Sequence, residues 1–260
     1  TGDLLLICDA DIHHEPGLLR RAVALMEAEE LDLLSLFPQM LGRGLMAPIM
    51  ATFADGYVQR TLGSREVVTR PGRYFGFGAF MLVRRASLEQ TQGLPWLKLD
   101  VLDDLALAKL ISDSGARCGF AMADDLLSVA WYPTIQAFVQ HTEKNFWGGM
   151  AGYHWPRCMA IALAAASTFL APFLGLFSGT ALGAMLCCAA WVAVGGAALA
   201  TRRFTGRSIL VSLLSPFAQL ALAGIMLRAA IVSIGRTHIS WRGTTYSVAE
   251  LKRGRRVTYP

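Results

Sequence analysis

Two acidic motifs and a glycine-rich stretch hold the residues whose types and spacing could do chemistry. Asp9-Ala10-Asp11 places two carboxylates on one loop, directly after the apolar run Leu4-Leu5-Leu6-Ile7-Cys8. Carboxylates so spaced can share a hard divalent cation and aim it at diphosphate oxygens, where it offsets the charge developing on a leaving diphosphate. The same triplet also serves as an ordinary turn or helix cap. Asp103-Asp104 stands at the head of an amphipathic stretch. There the pair either caps a helix or presents one carboxylate to a cleft as a general base toward a hydroxyl. Between the two motifs, Gly76 and Gly78 interrupt an aromatic and apolar run that ends at Arg84-Arg85. Glycines inside a strand clear space for another backbone or a ligand, and a β-bulge is the alternative. His13 and His14 adjoin the first motif, but two histidines ahead of a helix are more often solvated than metal-bound.

These residues need elements to position them. Residues 4–8 read as a buried strand whose end carries Asp9. A helix is expected from about Pro16, with Leu18, Leu19, Ala22, Val23, Leu25 and Met26 on its apolar face. Residues 31–37 read as a second strand, 45–62 as a helix, 75–83 as a glycine-interrupted strand, 104–112 as a short helix and 116–121 as a further strand. A Gly/Arg-rich loop of Arg70, Pro71, Gly72 and Arg73 leads into the third of these strands. Strand and helix signals that alternate in this way predict an α/β sheet domain, and sheet ends are where ligands collect. A chain that opens on a buried central strand also reads as a fragment.

The composition changes near Trp155-Pro156-Arg157. Of the 260 residues 54% are hydrophobic and 17% charged, and the mean hydropathy is +0.42. No charged residue occurs from 158 to 200, room for two membrane spans of ~20 residues with a turn at 175–179. A third apolar run covers 208–227 and continues past Arg228 to Ile234. The net charge is +5, and arginines and lysines flank the apolar runs or crowd the tail. Basic residues so placed suit an anionic membrane surface and not nucleic acid, for which no recognition motif is present. The positive-inside rule keeps the sheet domain and the loop at 202–207 on the cytoplasmic side. A third full span would then put the basic tail outside, so Pro216 is expected to break the third run into a re-entrant or interfacial element. The five cysteines form no CxxC pair, which supports neither a zinc site nor a disulfide framework.

Taken in order, the three motifs resemble the family 2 inverting glycosyltransferases of GT-A fold, in particular the ceramide-glucosyltransferase-like and hopanoid-associated bacterial branch. The run LLLICDADIHHEPGLLRRAV is similar to that family's metal-binding strand and following helix. GFGAFMLVRRASLEQTQGLP is similar to its acceptor-side strand, and LDDLALAKLISDSGAR to its segment bearing the catalytic base. The tail ISWRGTTYSVAEL resembles a Trp-Arg-Gly-x-x-Tyr segment that ends many such membrane enzymes. The resemblance implies that Asp9 and Asp11 hold Mg²⁺ or Mn²⁺ on a nucleotide-sugar donor, a UDP-sugar. It makes Asp104 the base with Asp103 beside it, and places Gly76, Phe77 and Gly78 against substrate. The family's Gln/Arg-x-x-Arg-Trp motif corresponds to residues 140–147. Gln140 fits there, while Lys144 and Trp147 stand at altered spacing, the lysine as a point charge without arginine's fork. An interfacial aromatic belt of Trp147, Tyr153 and Trp155 is the alternative reading of that stretch.

The implied architecture is α/β: a partial GT-A (Rossmann-like) catalytic domain over 1–155. Transmembrane helices follow over 156–235, and a basic interfacial tail over 236–260. Relatives carry a nucleotide-binding half ahead of the Asp-x-Asp strand, so the residues that read the nucleotide base are expected to lie outside this chain. The function implied is metal-dependent inverting transfer to a membrane lipid acceptor by a multi-pass protein of the bacterial inner membrane, with its catalytic domain cytoplasmic. A processive polysaccharide synthase and a non-catalytic membrane scaffold are the rival readings.

Overall fold

The computed structural model describes residues 2–61, 67–69, 74–205, 208–241 and 243–258. The loop of Arg70, Pro71, Gly72 and Arg73 lies outside them, as do Arg207 and Arg242. The chain divides into two compact units. One comprises Thr1–Leu41, Tyr57–Trp131 and Arg253–Pro260; the other comprises Gly42–Gly56 and Tyr132–Lys252.

In the first unit, β1 (Leu4–Ile7), β2 (Ile12–His14), α1 (Leu18–Ala28), β3 (Leu33–Phe37) and β4 (Gln39–Met40) come first. After α2 (Met46–Thr61) follow β5 (Val67–Thr69), β6 (Met81–Arg84), α3 (Arg85–Glu89), α4 (Asp103–Asp113), β7 (Cys118–Met122) and β8 (Leu127–Val129). The main sheet runs β1-β6-β3-β7-β5, and β2-β8-β4 form a smaller one. Strands β3 and β7 are parallel, while β6 lies antiparallel between β1 and β3. The result is a mixed α/β sheet that fits a GT-A-like domain. All five residues of β3 are buried, as a strand covered on both faces requires. The α4 helix lays Ala106, Leu107, Leu110 and Ile111 into the same core as Leu33, Met81 and Val83.

Three expectations change. The first strand is not central: among the described residues β1 pairs with β6 alone and sits at the sheet edge, with Leu6 41% exposed. An unbroken apolar run cannot by itself tell an edge from an interior strand. The helix expected at Pro16 begins at Leu18, because Gly17 takes φ 93° at the N-cap, a left-handed turn open to glycine. The glycine-interrupted strand shortens to β6. Ahead of it Phe80 N–H donates to Phe77 O at 3.2 Å, closing a turn through Gly78 and Ala79.

The second unit is mostly helical. It holds α5 (Ile135–Lys144), a π-turn (Asn145–Met150), α6 (Trp155–Leu174), a 3₁₀ turn (Gly175–Phe177), α7 (Ala181–Thr205), α8 (Ile209–Leu213) and α9 (Ser215–Val232). The hairpin β9 (His238–Trp241) and β10 (Thr244–Ser247) and then α10 (Val248–Gly254) follow. Helices α6 and α9 pack together, and much of what they bury is small: Cys158, Ala162 and Ala166 on one, Ala223, Ala229 and Ala230 on the other. Small residues let helix backbones approach closely. The Trp191 ring packs on Phe173 and Phe217, tying α7 to both neighbours. Thr201 donates a 2.5 Å hydrogen bond to the buried Asp55 carboxylate, and Glu143 pairs with Arg228.

Two helices among the described residues are long and apolar enough to cross a membrane, Ala181–Arg202 and Ser215–Val232. The third apolar run was expected to break at Pro216. The run does divide there: α8 ends at Leu213 and α9 opens at Ser215 with proline in its first turn, where the missing N–H has no helical partner to lose, and α9 by itself is 18 residues long.

Candidate active site

The two acidic motifs meet at one glycine. Residue Asp9 follows β1, and its N–H donates to Gly78 O at 2.9 Å, carrying the β1–β6 pairing past the last ladder residues. On its other side, Gly78 N–H donates to Asp104 Oδ2 at 2.9 Å. A Cβ at Gly78 would stand 3.1 Å from Asp9 Oδ2 and 3.3 Å from Oδ1. The glycine thus lets the Asp9 carboxylate lie against the same peptide that holds Asp104. Gly76 serves a tighter approach, since a Cβ there would fall 2.0 Å from the carbonyl oxygen of Asp104. The close approach expected of the glycines is made at Gly76 by another backbone, that of Asp104, and at Gly78 by the Asp9 side chain.

Asp103 and Asp104 occupy the first turn of α4, and the N-cap, Leu102, makes no side-chain capping bond. Asp104 Oδ1 accepts from Leu105 N–H at 2.7 Å, satisfying one of the open donors of the helix start. One oxygen therefore serves the helix and the other the Gly78 loop. The residue is partly exposed, yet its carboxyl group is enclosed among protein atoms. Burial pushes the carboxyl up to about 6; the negative charges of Asp103 and Asp9 add to this, and the bonds from Leu105 and Gly78 oppose it. A group in this range is ionised at neutral pH and still basic enough to take a proton. The limb of kcat/KM should accordingly fall tenfold per pH unit below about pH 6 in a pH–rate profile. An acid limb near pH 4 would contradict it.

The loop bearing the glycines is fixed from beneath. Phe77 N–H donates to Ser35 Oγ at 3.0 Å, and Ser35 is fully buried in β3. The Phe77 ring packs on Phe37 at 4.5 Å and on Trp131 at 5.1 Å. Phe77 is 5% exposed, so its ring anchors the loop and offers no surface to a substrate. Ser35 was not foreseen. Its signal was there, as the one polar residue in a five-residue apolar strand, because a buried hydroxyl needs a partner.

Asp11 is exposed at the approach to β2. His13 and His14 lie exposed within β2, His13 beside Glu15 at 3.2 Å. Among the described residues no three His, Cys, Asp or Glu side chains are grouped to hold an ion unaided. The hard oxygens of Asp9 and Asp11, with the Asp9 carboxylate bordered by the missing side chain of Gly78, fit an ion that completes its shell with phosphate and water.

Gln140, Lys144 and Trp147 belong to the second unit. Gln140 is exposed on α5, and the Lys144 ammonium lies over the Trp241 ring, 5.3 Å from its centroid. Trp147 sits in the π-turn, 3% exposed, with its indole packed on Tyr153. Tyr153 is itself 4% exposed at φ 61°. These two rings are buried and do not form an interfacial belt; of the three aromatics, Trp155 alone is exposed.

The family model for glycosyl transferase family 21 matches residues 1–254. No curated protein matches the chain.

Proposed function

We propose, for a chain that belongs to glycosyl transferase family 21 and is therefore a glycosyltransferase, that it moves a sugar with inversion from a UDP-sugar to a lipid acceptor of the ceramide or hopanoid type. The observation that carries this reading is the Gly78 peptide, which accepts from the Asp9 main-chain N–H and donates to the Asp104 carboxylate, with the Asp9 carboxylate lying where a side chain at Gly78 would stand. Asp9 and Asp11 would hold Mg²⁺ or Mn²⁺, which when bound supplies electrostatic stabilisation to the departing diphosphate. Asp104 takes the proton of the acceptor hydroxyl as that oxygen bonds to the anomeric carbon and the bond from carbon to the diphosphate oxygen breaks. A single displacement inverts the centre and needs no covalent nucleophile on the protein. Asp103 keeps Asp104 basic through its charge, and Gly76 sets the distance between the loop and α4.

The lipid acceptor is supported by the two long apolar helices. Side chains such as Leu182, Met185 and Val192 of α7 point outward, Val192 being 74% exposed. An apolar surface of this extent is costly in water and suits hydrocarbon. We place the protein in the bacterial inner membrane as a multi-pass protein with the catalytic unit on the cytoplasmic side. The deciding assay follows radiolabel from UDP-sugars into extracted lipids by the protein reconstituted in bilayers. Label in lipid, lost on chelation and restored by Mg²⁺ or Mn²⁺, is expected, with Asp9→Asn lowering transfer about 100-fold or more. Transfer indifferent to chelation would remove the metal, and label appearing only in water-soluble sugars would remove the lipid acceptor.

A further inference from the structure

The last residues of the chain return to the first unit and close on the segment that leads into the acidic pair. Asp100 is 2% exposed, three residues ahead of Asp103. Its Oδ2 accepts from Arg256 N–H at 3.0 Å and its Oδ1 from Val257 N–H at 3.3 Å. Gly254 lies so close to Leu99 that a Cβ would fall 2.2 Å from Leu99 Cδ1 and 2.8 Å from its Cβ. The Arg256 guanidinium lies over the Trp96 ring at 5.8 Å. Val257, 5% exposed, enters the core cluster that holds Leu97 together with Ala106, Leu107 and Leu110 of α4.

A tail that is merely tied down can be held by surface ion pairs, which are cheap and loose. Here a carboxylate is buried, which is unfavourable unless its oxygens are satisfied, and its partners are two main-chain N–H groups of the tail. Main-chain donors fix the path of the backbone, and Val257, the buried apolar side chain of residues 253–258, shares a core cluster with the helix that begins with the acidic pair. We propose that residues 253–258 form a clasp, with Asp100 as its anchor, that positions the first turn of α4 and so the Asp104 carboxylate. Asp100 is a positioning residue in this arrangement. The catalytic consequence rests on the reading of Asp104 as base, whereas the clasp itself does not.

The test compares wild-type protein with Asp100→Asn, in bilayers, by amide hydrogen exchange and steady-state kinetics. The asparagine keeps the volume but gives the two N–H donors a single neutral oxygen. Exchange should rise at 253–258 and at 101–107 together. The kcat should fall about tenfold with the donor KM within about twofold, as expected of a displaced reacting group. Exchange that rises at 253–258 alone, with kcat unchanged, overturns the clasp. Coupled exchange with unchanged kcat leaves the clasp standing and places the failure with Asp104. If Asp100→Asn does not fold, Gly254→Ala keeps the carboxylate and lifts the segment off Leu99; the same outcomes then decide.

Discussion

Asp104→Asn is expected to lower kcat by about 10²–10⁴-fold and, in the same protein, to change how stability depends on pH. The carboxyl is raised from 3.8 to about 6 in the folded protein, first by burial and then by Asp103 and Asp9. A raised carboxyl means that the fold binds the proton more tightly than the unfolded chain does. Its contribution to stability is complete below about pH 4 and is lost as pH rises through about 6. At neutral pH the fold therefore holds an ionised carboxylate at a cost, and the asparagine carries no such cost. After discounting for partial exposure of the residue, the variant should gain about 1–2 kcal/mol on wild type between pH 4 and pH 7. The asparagine gives up one acceptor of the two that serve Leu105 and Gly78, a loss that is the same at every pH and leaves the slope untouched. Unfolding midpoints of both proteins at the two pH values, read beside transfer rates, check the prediction. A difference that is flat with pH denies the burial, and undiminished transfer denies the base.

The elements that carry the acidic motifs were legible because their logic is local. Asp9-Ala10-Asp11 follows a strand, Asp103-Asp104 opens a helix, and apolar periodicity locates β3, α2, α4 and β7 to within a few residues. What the sequence could not convey is which residues face each other over long separations. Ser35 and Phe77 are 42 residues apart, and Asp100 and Arg256 are 156 apart. A lone acid between Leu99 and Val101 announces a buried partner without naming it. Aromatic residues were misjudged for a related reason. Phe77 and Trp147 stand near functional motifs, but proximity in sequence does not decide whether a ring faces a cleft or a core, and both are buried. Composition likewise marks the apolar helices but not α5, a polar helix that joins the second unit through Phe138 and the Glu143–Arg228 pair.

The other large effect belongs to Gly76, which composition would rank among the least consequential residues. In Gly76→Ala the new methyl would sit 2.0 Å from the Asp104 carbonyl oxygen and 2.5 Å from its carbon. Both are main-chain atoms at the start of a helix, so no rotamer change relieves the clash. Either α4 moves off the loop or the loop lifts off Ser35 and its aromatic bed. Overpacking against backbone costs about 3 kcal/mol, and a displacement near 1 Å at a reacting group costs about 100-fold in rate. Gly78→Ala supplies the contrast within the same turn. Its methyl meets the side-chain oxygens of Asp9 at 3.1 and 3.3 Å, which can yield by a few tenths of an ångström. That variant should keep its fold within about 1 kcal/mol and lose affinity for metal and donor before it loses kcat. Unfolding midpoints and separate kcat and KM values for the two variants distinguish the cases. Equal, mild behaviour of both would mean that the glycines do not set the spacing of the two carboxylates.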